Sequence, residues 1–114
     1  LRQLRRSGSY LIQIVKNRPK EALAISMVTV QELYEGQSTK DEQKEKYLLA
    51  TISPLKILSY TFEVAQLAGE IARDLNRPIE LADAAIAATT IINNCQLATL
   101  NKKDFQGIEG LEFV

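Results

Sequence analysis

Glu32, Asp83 and Asp104 are the residues of this 114-residue chain whose type and setting allow hydrolytic chemistry. Each falls just after the carboxyl end of a predicted strand or in the first turn of the helix that follows. Clustered carboxylates repel one another, which raises their pKa values unless a cation binds. A hard divalent ion such as Mg²⁺ or Mn²⁺ suits a donor set made only of oxygens. Such a site can activate water and stabilise the charge that builds on a phosphodiester. The residue types therefore allow metal-assisted phosphodiester hydrolysis without requiring it.

Each acid also has a purely structural reading. Thr29-Val-Gln-Glu32 has the Thr-x-x-Glu form of a helix capping box, so Glu32 can serve as a cap. Asp104 can cap or turn the segment before Phe105. Asp83 is harder to place that way, because its helix is otherwise Ala, Ile and Thr. An ionised acid there needs compensation, and a helix N-terminus supplies only part of it. Arg77, upstream of Pro78, is the one base near it in sequence. Glu80 reads as an accessory ligand or as a solvated first-turn acid.

Composition narrows the chemistry further. The chain has no His and one Cys, Cys95. That excludes Ser-His-Asp and Cys-His catalysis, His-ligated metals, Cys-rich zinc sites and an intrachain disulfide. One thiol without a bridge fits a reducing compartment, so a cytoplasmic location is expected. The apolar stretches are too short to span a bilayer, and no membrane partner is expected. Residues 10–15 follow three arginines but are too short, and too poor in a cleavage site, for a secretion signal. Net charge is zero, yet the first twenty residues carry six bases (Arg2, Arg5, Arg6, Lys16, Arg18, Lys20) and no acid. That arm suits RNA phosphates, or is simply a solvated terminus.

The elements that must hold the acids alternate in type. A short helix is predicted over 10–17, with Leu11, Ile14 and Val15 on one side, ended by Pro19. A buried strand over 23–26 leads into a helix from Thr29 to Gly36. A second capping box, Thr39-Lys-Asp-Glu42, opens a helix whose charged run, 40–46, is a solvated face; Pro54 closes it. A strand over 55–59 follows. Thr61 starts an amphipathic helix with Val64, Leu67, Ala68, Ile71 and Leu75 inward. Residues 82–92 form a helix apolar almost all round, hence buried. Strands over 97–100 and 111–114 flank a turn or short helix at 101–105. Helical crossovers imply a small parallel sheet covered on both faces, an α/β fold whose ligands sit outside the carboxyl ends of the strands.

Three segments resemble a known family. Ile25-Ser-Met-Val-Thr-Val-Gln-Glu-Leu-Tyr-Glu-Gly36 resembles the S-x-x-T-x-x-E-L-x-x-G segment of PIN-domain ribonucleases. Glu80-Leu-Ala-Asp-Ala-Ala-Ile-Ala-Ala-Thr89 resembles their A-D-x-x-I-A-A-T helix. Leu97-Ala-Thr-Leu-Asn-Lys-Lys-Asp-Phe-Gln-Gly-Ile-Glu-Gly-Leu111 resembles their L-x-T-x-N-x-x-D-F-x-x-I-x-G-L ending. Order and spacing match, and the segments span most of residues 25–111. Within that family the chain is most similar to VapC-like toxins of type II toxin–antitoxin systems.

The resemblance implies a PIN-like three-layer fold, with residues 1–114 as a single domain. It implies Mg²⁺- or Mn²⁺-dependent endoribonuclease activity, an RNA substrate, a cognate antitoxin and a homodimer. It carries Glu32, Asp83 and Asp104 over as metal-binding and catalytic acids. Thr99 and Asn101 match polar positions that support the acids or touch RNA.

The departure is at the front. The family opens with a central strand ending in Asp, of the form L-D-T-S/N-x-L-I. Here Ser7-Gly-Ser-Tyr-Leu-Ile12 occupies that place, with Ser7 where the first acid belongs. Residues 1–6 carry three arginines, costly in a buried strand. Residues 1–9 are thus an atypical segment, and a degenerate or missing first strand is expected from a truncated or substituted start. Such a chain would hold metal less well and expose a sheet edge. Three alternatives to an active toxin follow: a catalytically impaired module that binds antitoxin or RNA without cleaving, a decayed fragment, and an unrelated α/β signalling domain.

Overall fold

The computed structural model describes residues 8–17 and 23–114. The expectations placed on residues 1–7, including Ser7 and the first strand, and on most of the basic arm lie outside the described residues. In chain order the elements are α1 (Gly8–Asn17), β1 (Ala24–Ser26), α2 (Met27–Glu35), α3 (Glu42–Ile52), β2 (Lys56–Leu58), α4 (Phe62–Asp74) and α5 (Leu81–Ile92). Short 3-10 turns occupy Gln37–Lys40 and Lys102–Phe105. β1 and β2 pair in parallel, with Ile25 opposite Ile57 and Ser26 opposite Leu58. Parallel strands need a long crossover, and α2 and α3 supply it.

Two of the expected strands contract. Leu97 and Phe113 make one isolated parallel bridge. It is held by Leu97 N–H to the Glu112 carbonyl at 2.8 Å and Val114 N–H to the Leu97 carbonyl at 3.1 Å. Gly107 and Gly110, both at positive φ, turn the chain between these partners. Among the described residues no longer ladder extends from this bridge.

The helix starts also differ from the capping boxes expected. α2 begins at Met27, capped by Ser26, whose Oγ accepts from Thr29 N–H at 3.1 Å. Thr29 is a first-turn residue rather than the cap, which releases Glu32 from a capping duty. Asp41, not Thr39, caps α3 by accepting from Gln43 and Lys44 N–H. An aspartate closer to the helix outcompetes the threonine, which sits inside the preceding 3-10 turn. Thr61 caps α4 as expected, accepting from Val64 N–H.

The core follows the apolar faces. Leu11, Ile25, Leu33 and Ile52 bring α1, β1, α2 and α3 together. Ile86, Ala87, Leu97, Phe105 and Ile108 seat the C-terminal segment on α5. Val64, Ala68, Ala84 and Ala88 join α4 to α5, where small side chains let the two helices approach closely. From Asp83 to Thr90 every residue of α5 is buried. Thr89 and Thr90 tolerate this because their hydroxyls donate to the Ala85 and Ile86 carbonyls at 2.7 Å. Asn94, at φ 57, then stops the helix. Among the described residues no helix is long and apolar enough to cross a membrane.

Candidate active site

β1 delivers the chain directly into α2, so Ser26 is both the end of a strand and the start of a helix. Ser26 and Thr29 are buried, and their hydroxyls share a hydrogen bond at 2.8 Å. That local lock fixes the first turn of α2 and therefore the direction of Glu32 one turn later. Glu32 is 5% exposed, against α5. Asp83 is 2% exposed in the first turn of α5. Two helices that pack on each other thus each bury a carboxylate. One oxygen of each, Glu32 Oε1 and Asp83 Oδ1, is buried and accepts no hydrogen bond, while both side chains take part in other interactions.

Beside them lies an open cleft of about 470 Å³ between α2, the start of α5 and the segment after β2. Glu32, Glu35 and Glu80 give it an acidic wall; Met27, Tyr60 and Leu81 give it an apolar one. Glu80 is the exposed residue before α5 and makes no side-chain cap. Sequence reasoning does not single out Glu35 or Tyr60. The signal for Glu35 is its i,i+3 spacing from Glu32, which places both on one helix face. Tyr60 reaches the cleft only because β2 pairs with β1.

Asp104 stands apart on the 3-10 turn Lys102–Phe105, half-buried. Asn101 Nδ2 donates to its Oδ2 at 2.8 Å. Asn101 N–H in turn donates to Oγ1 of the buried Thr99 at 3.2 Å. Thr99, Asn101 and Asp104 therefore form one hydrogen-bonded series, and Phe105, 1% exposed, anchors the turn in the core. Among the described residues no three Asp, Glu or Cys side chains lie close enough to share a metal ion. The structure thus brings Glu32 and Asp83 onto adjoining helices and puts Asp104 on a separate mount. The donor chemistry still fits a hard cation: oxygen ligands only, two of them shielded from water. Mg²⁺ in particular is often held by one or two carboxylates, with waters and substrate phosphate completing its shell.

A fold with a small parallel sheet, a buried acid on each of two packed helices and a third acid on a braced turn is defined as a class by comparison. The PIN domain family model matches residues 6–111, and the chain belongs to the PIN-domain family. It is 35% identical over 102 residues to Ribonuclease VapC10 of Mycobacterium tuberculosis, covering 87% of this chain and 74% of that protein. Among solved structures it is similar to VapBC2 from Rickettsia felis bound to a promoter DNA fragment, with TM-score 0.76 and 27% identity. That match covers 93% of this chain and 84% of the other. DNA-bound VapBC from Salmonella typhimurium matches with TM-score 0.79 and 25% identity, over 97% of this chain and 88% of that one.

Proposed function

We propose that this chain is a VapC-type endoribonuclease toxin whose metal site is Glu32, Asp83 and Asp104: Glu32 and Asp83 would hold a Mg²⁺ or Mn²⁺ ion directly, and Asp104, on its separate turn, would reach the ion through a water of its shell. The observation that carries the reading is the burial of Glu32 and Asp83 where α2 meets α5, beside an open cleft. Burying two carboxylates in an interface rich in alanine works against stability. A function that uses their charge accounts for the arrangement, and a named ribonuclease is 35% identical.

When bound, a divalent ion lowers the pKa of water and stabilises charge on the phosphodiester. The chain's own groups do the rest. Glu32 and Asp83 bind from two rigid helices. Asp104 is oriented by Asn101, itself braced on Thr99, so its carboxylate enters in one direction. Glu32 lines the open cleft through which RNA would approach, and exposed Lys16 belongs to the basic set available to phosphates. A cognate antitoxin is the partner supported by similarity to VapBC complexes. In the same reading residues 1–114 act as one domain in the cytoplasm, and the toxin is a homodimer.

The test is RNA cleavage with Mn²⁺ by the chain as given, by Asp83→Asn and by Ser7→Asp, side by side. Cleavage is expected to stop in EDTA and to fall about a hundredfold or more in Asp83→Asn, the scale of losing one preorganised charged group. Cleavage indifferent to EDTA refutes the proposal. Ser7, in place of the family's first acid, favours a second reading: an impaired module that binds antitoxin or RNA without cutting. Cleavage by Ser7→Asp alone, together with antitoxin binding by both, selects that reading.

A further inference from the structure

We infer that Arg77 is a positioning residue for Asp104, setting how tightly the candidate site takes up a divalent cation. The inference rests on the metal-dependent reading above. Arg77 lies in the linker between α4 and α5, six residues before Asp83 and half-buried. Its Nη2 donates to the backbone carbonyl of Gln106 at 2.7 Å and to that of Asp104 at 3.1 Å. A third, longer contact at 3.4 Å runs from Nη1 to its neighbour Pro78. One guanidinium thus bridges the linker that starts the Asp83 helix and the turn that carries Asp104.

The chemistry of the turn explains why it needs this. Lys102–Phe105 is a four-residue 3-10 turn, too short to hold its own carbonyls in place. Its C-terminal end carries partial negative charge, which a cation complements. Asn101 fixes the Asp104 carboxylate, Phe105 fixes the turn in the core, and Arg77 fixes the main chain between them. Without Arg77 the carboxylate keeps its hydrogen bond to Asn101 and Phe105 stays seated in the core, but the main chain at Asp104 and Gln106 loses its tie to the linker that starts the Asp83 helix. A lysine keeps the charge but not the planar fork, so it restores part of the bridge.

A staple that merely stabilises the loop would lower the melting temperature and leave cation affinity unchanged. The two roles separate in a double-mutant cycle on the full chain. Mn²⁺ binding is read by electron paramagnetic resonance, well below the melting temperature, in Arg77→Met, Arg77→Lys, Asp104→Asn and Arg77→Met/Asp104→Asn. Arg77→Met is expected to weaken Mn²⁺ binding about tenfold, the low end of what the loss of a ligand-orienting group does. Arg77→Lys should lose less. The double variant should bind no more weakly than Asp104→Asn alone, because Arg77 acts through Asp104. Wild-type affinity in Arg77→Met, or losses that multiply in the double variant, overturns the inference. Should Arg77→Met not fold, Arg77→Lys in the same cycle decides. A wild-type chain that binds no Mn²⁺ overturns the metal reading and this inference together. Intact wild-type binding without the coupling overturns this inference alone.

Discussion

Replacing Ser26 with alanine removes two things at once, and their sizes follow from the structure. Ser26 Oγ is the N-cap of α2, accepting from Thr29 N–H. It is also the partner of the Thr29 hydroxyl, which is 0% exposed and therefore has no recourse to water. Loss of a cap costs about 1 kcal/mol. A buried hydroxyl left without a partner adds about 1–2 kcal/mol. Ser26→Ala should therefore destabilise the chain by about 2–3 kcal/mol, or roughly 8–12 °C in melting temperature for a chain of this length. Thr29→Val is close to isosteric and leaves the cap in place, so about 1 kcal/mol is expected. In the double variant no stranded hydroxyl remains, and the loss should be about 1 kcal/mol smaller than the sum of the single losses. The assay is urea unfolding followed by circular dichroism, with all four proteins compared at one pH. Strict additivity would refute the shared hydroxyl pair. A Thr29→Val loss larger than that of Ser26→Ala would restore Thr29 as the cap.

Phe105 is 1% exposed among Ile86, Leu97 and Ile108, so Phe105→Ala should cost about 3–5 kcal/mol by urea unfolding. The carboxyl of Asp74 is held below its ordinary value of 3.8 by the Arg73 guanidinium, which donates to it at 2.7 and 2.8 Å. A carboxyl depressed in the folded state contributes its stability above the unfolded pKa and loses it as pH falls through the lower folded value. Both side chains are exposed, so the contribution is screened. An NMR titration should find the Asp74 midpoint below 3.8 and see it rise in Arg73→Ala.

The helices were legible because their signals are local. Apolar spacing along residues 62–74 and 81–92 reports which faces must leave water, whatever they meet there. The same logic singled out Asp83, since a carboxylate among Ala, Ile and Thr conflicts with its own helical neighbours. Position after predicted strand ends, and then the family motifs, added Glu32 and Asp104 to the candidates, though Asp104 sits on a separate turn. What periodicity could not supply was competition between local options. Thr29 read as the cap of α2, but the end of β1, fixed by pairing with β2, gave that place to Ser26. Asp41 displaced Thr39 in the same way.

Contacts between distant residues belong to the tertiary structure alone. The stretches over 97–100 and 111–114 have strand composition, but how much ladder they form depends on partners elsewhere in the chain, and among the described residues one bridge joins them. Tyr60 joins the cleft through strand register, and Arg77 reaches carbonyls 27 and 29 residues away. Residue type and spacing determined which side chains could carry charge and which helix faces would be buried. Where those charges stand relative to one another was decided by packing, because two helices and a braced turn meet only when the whole core has formed.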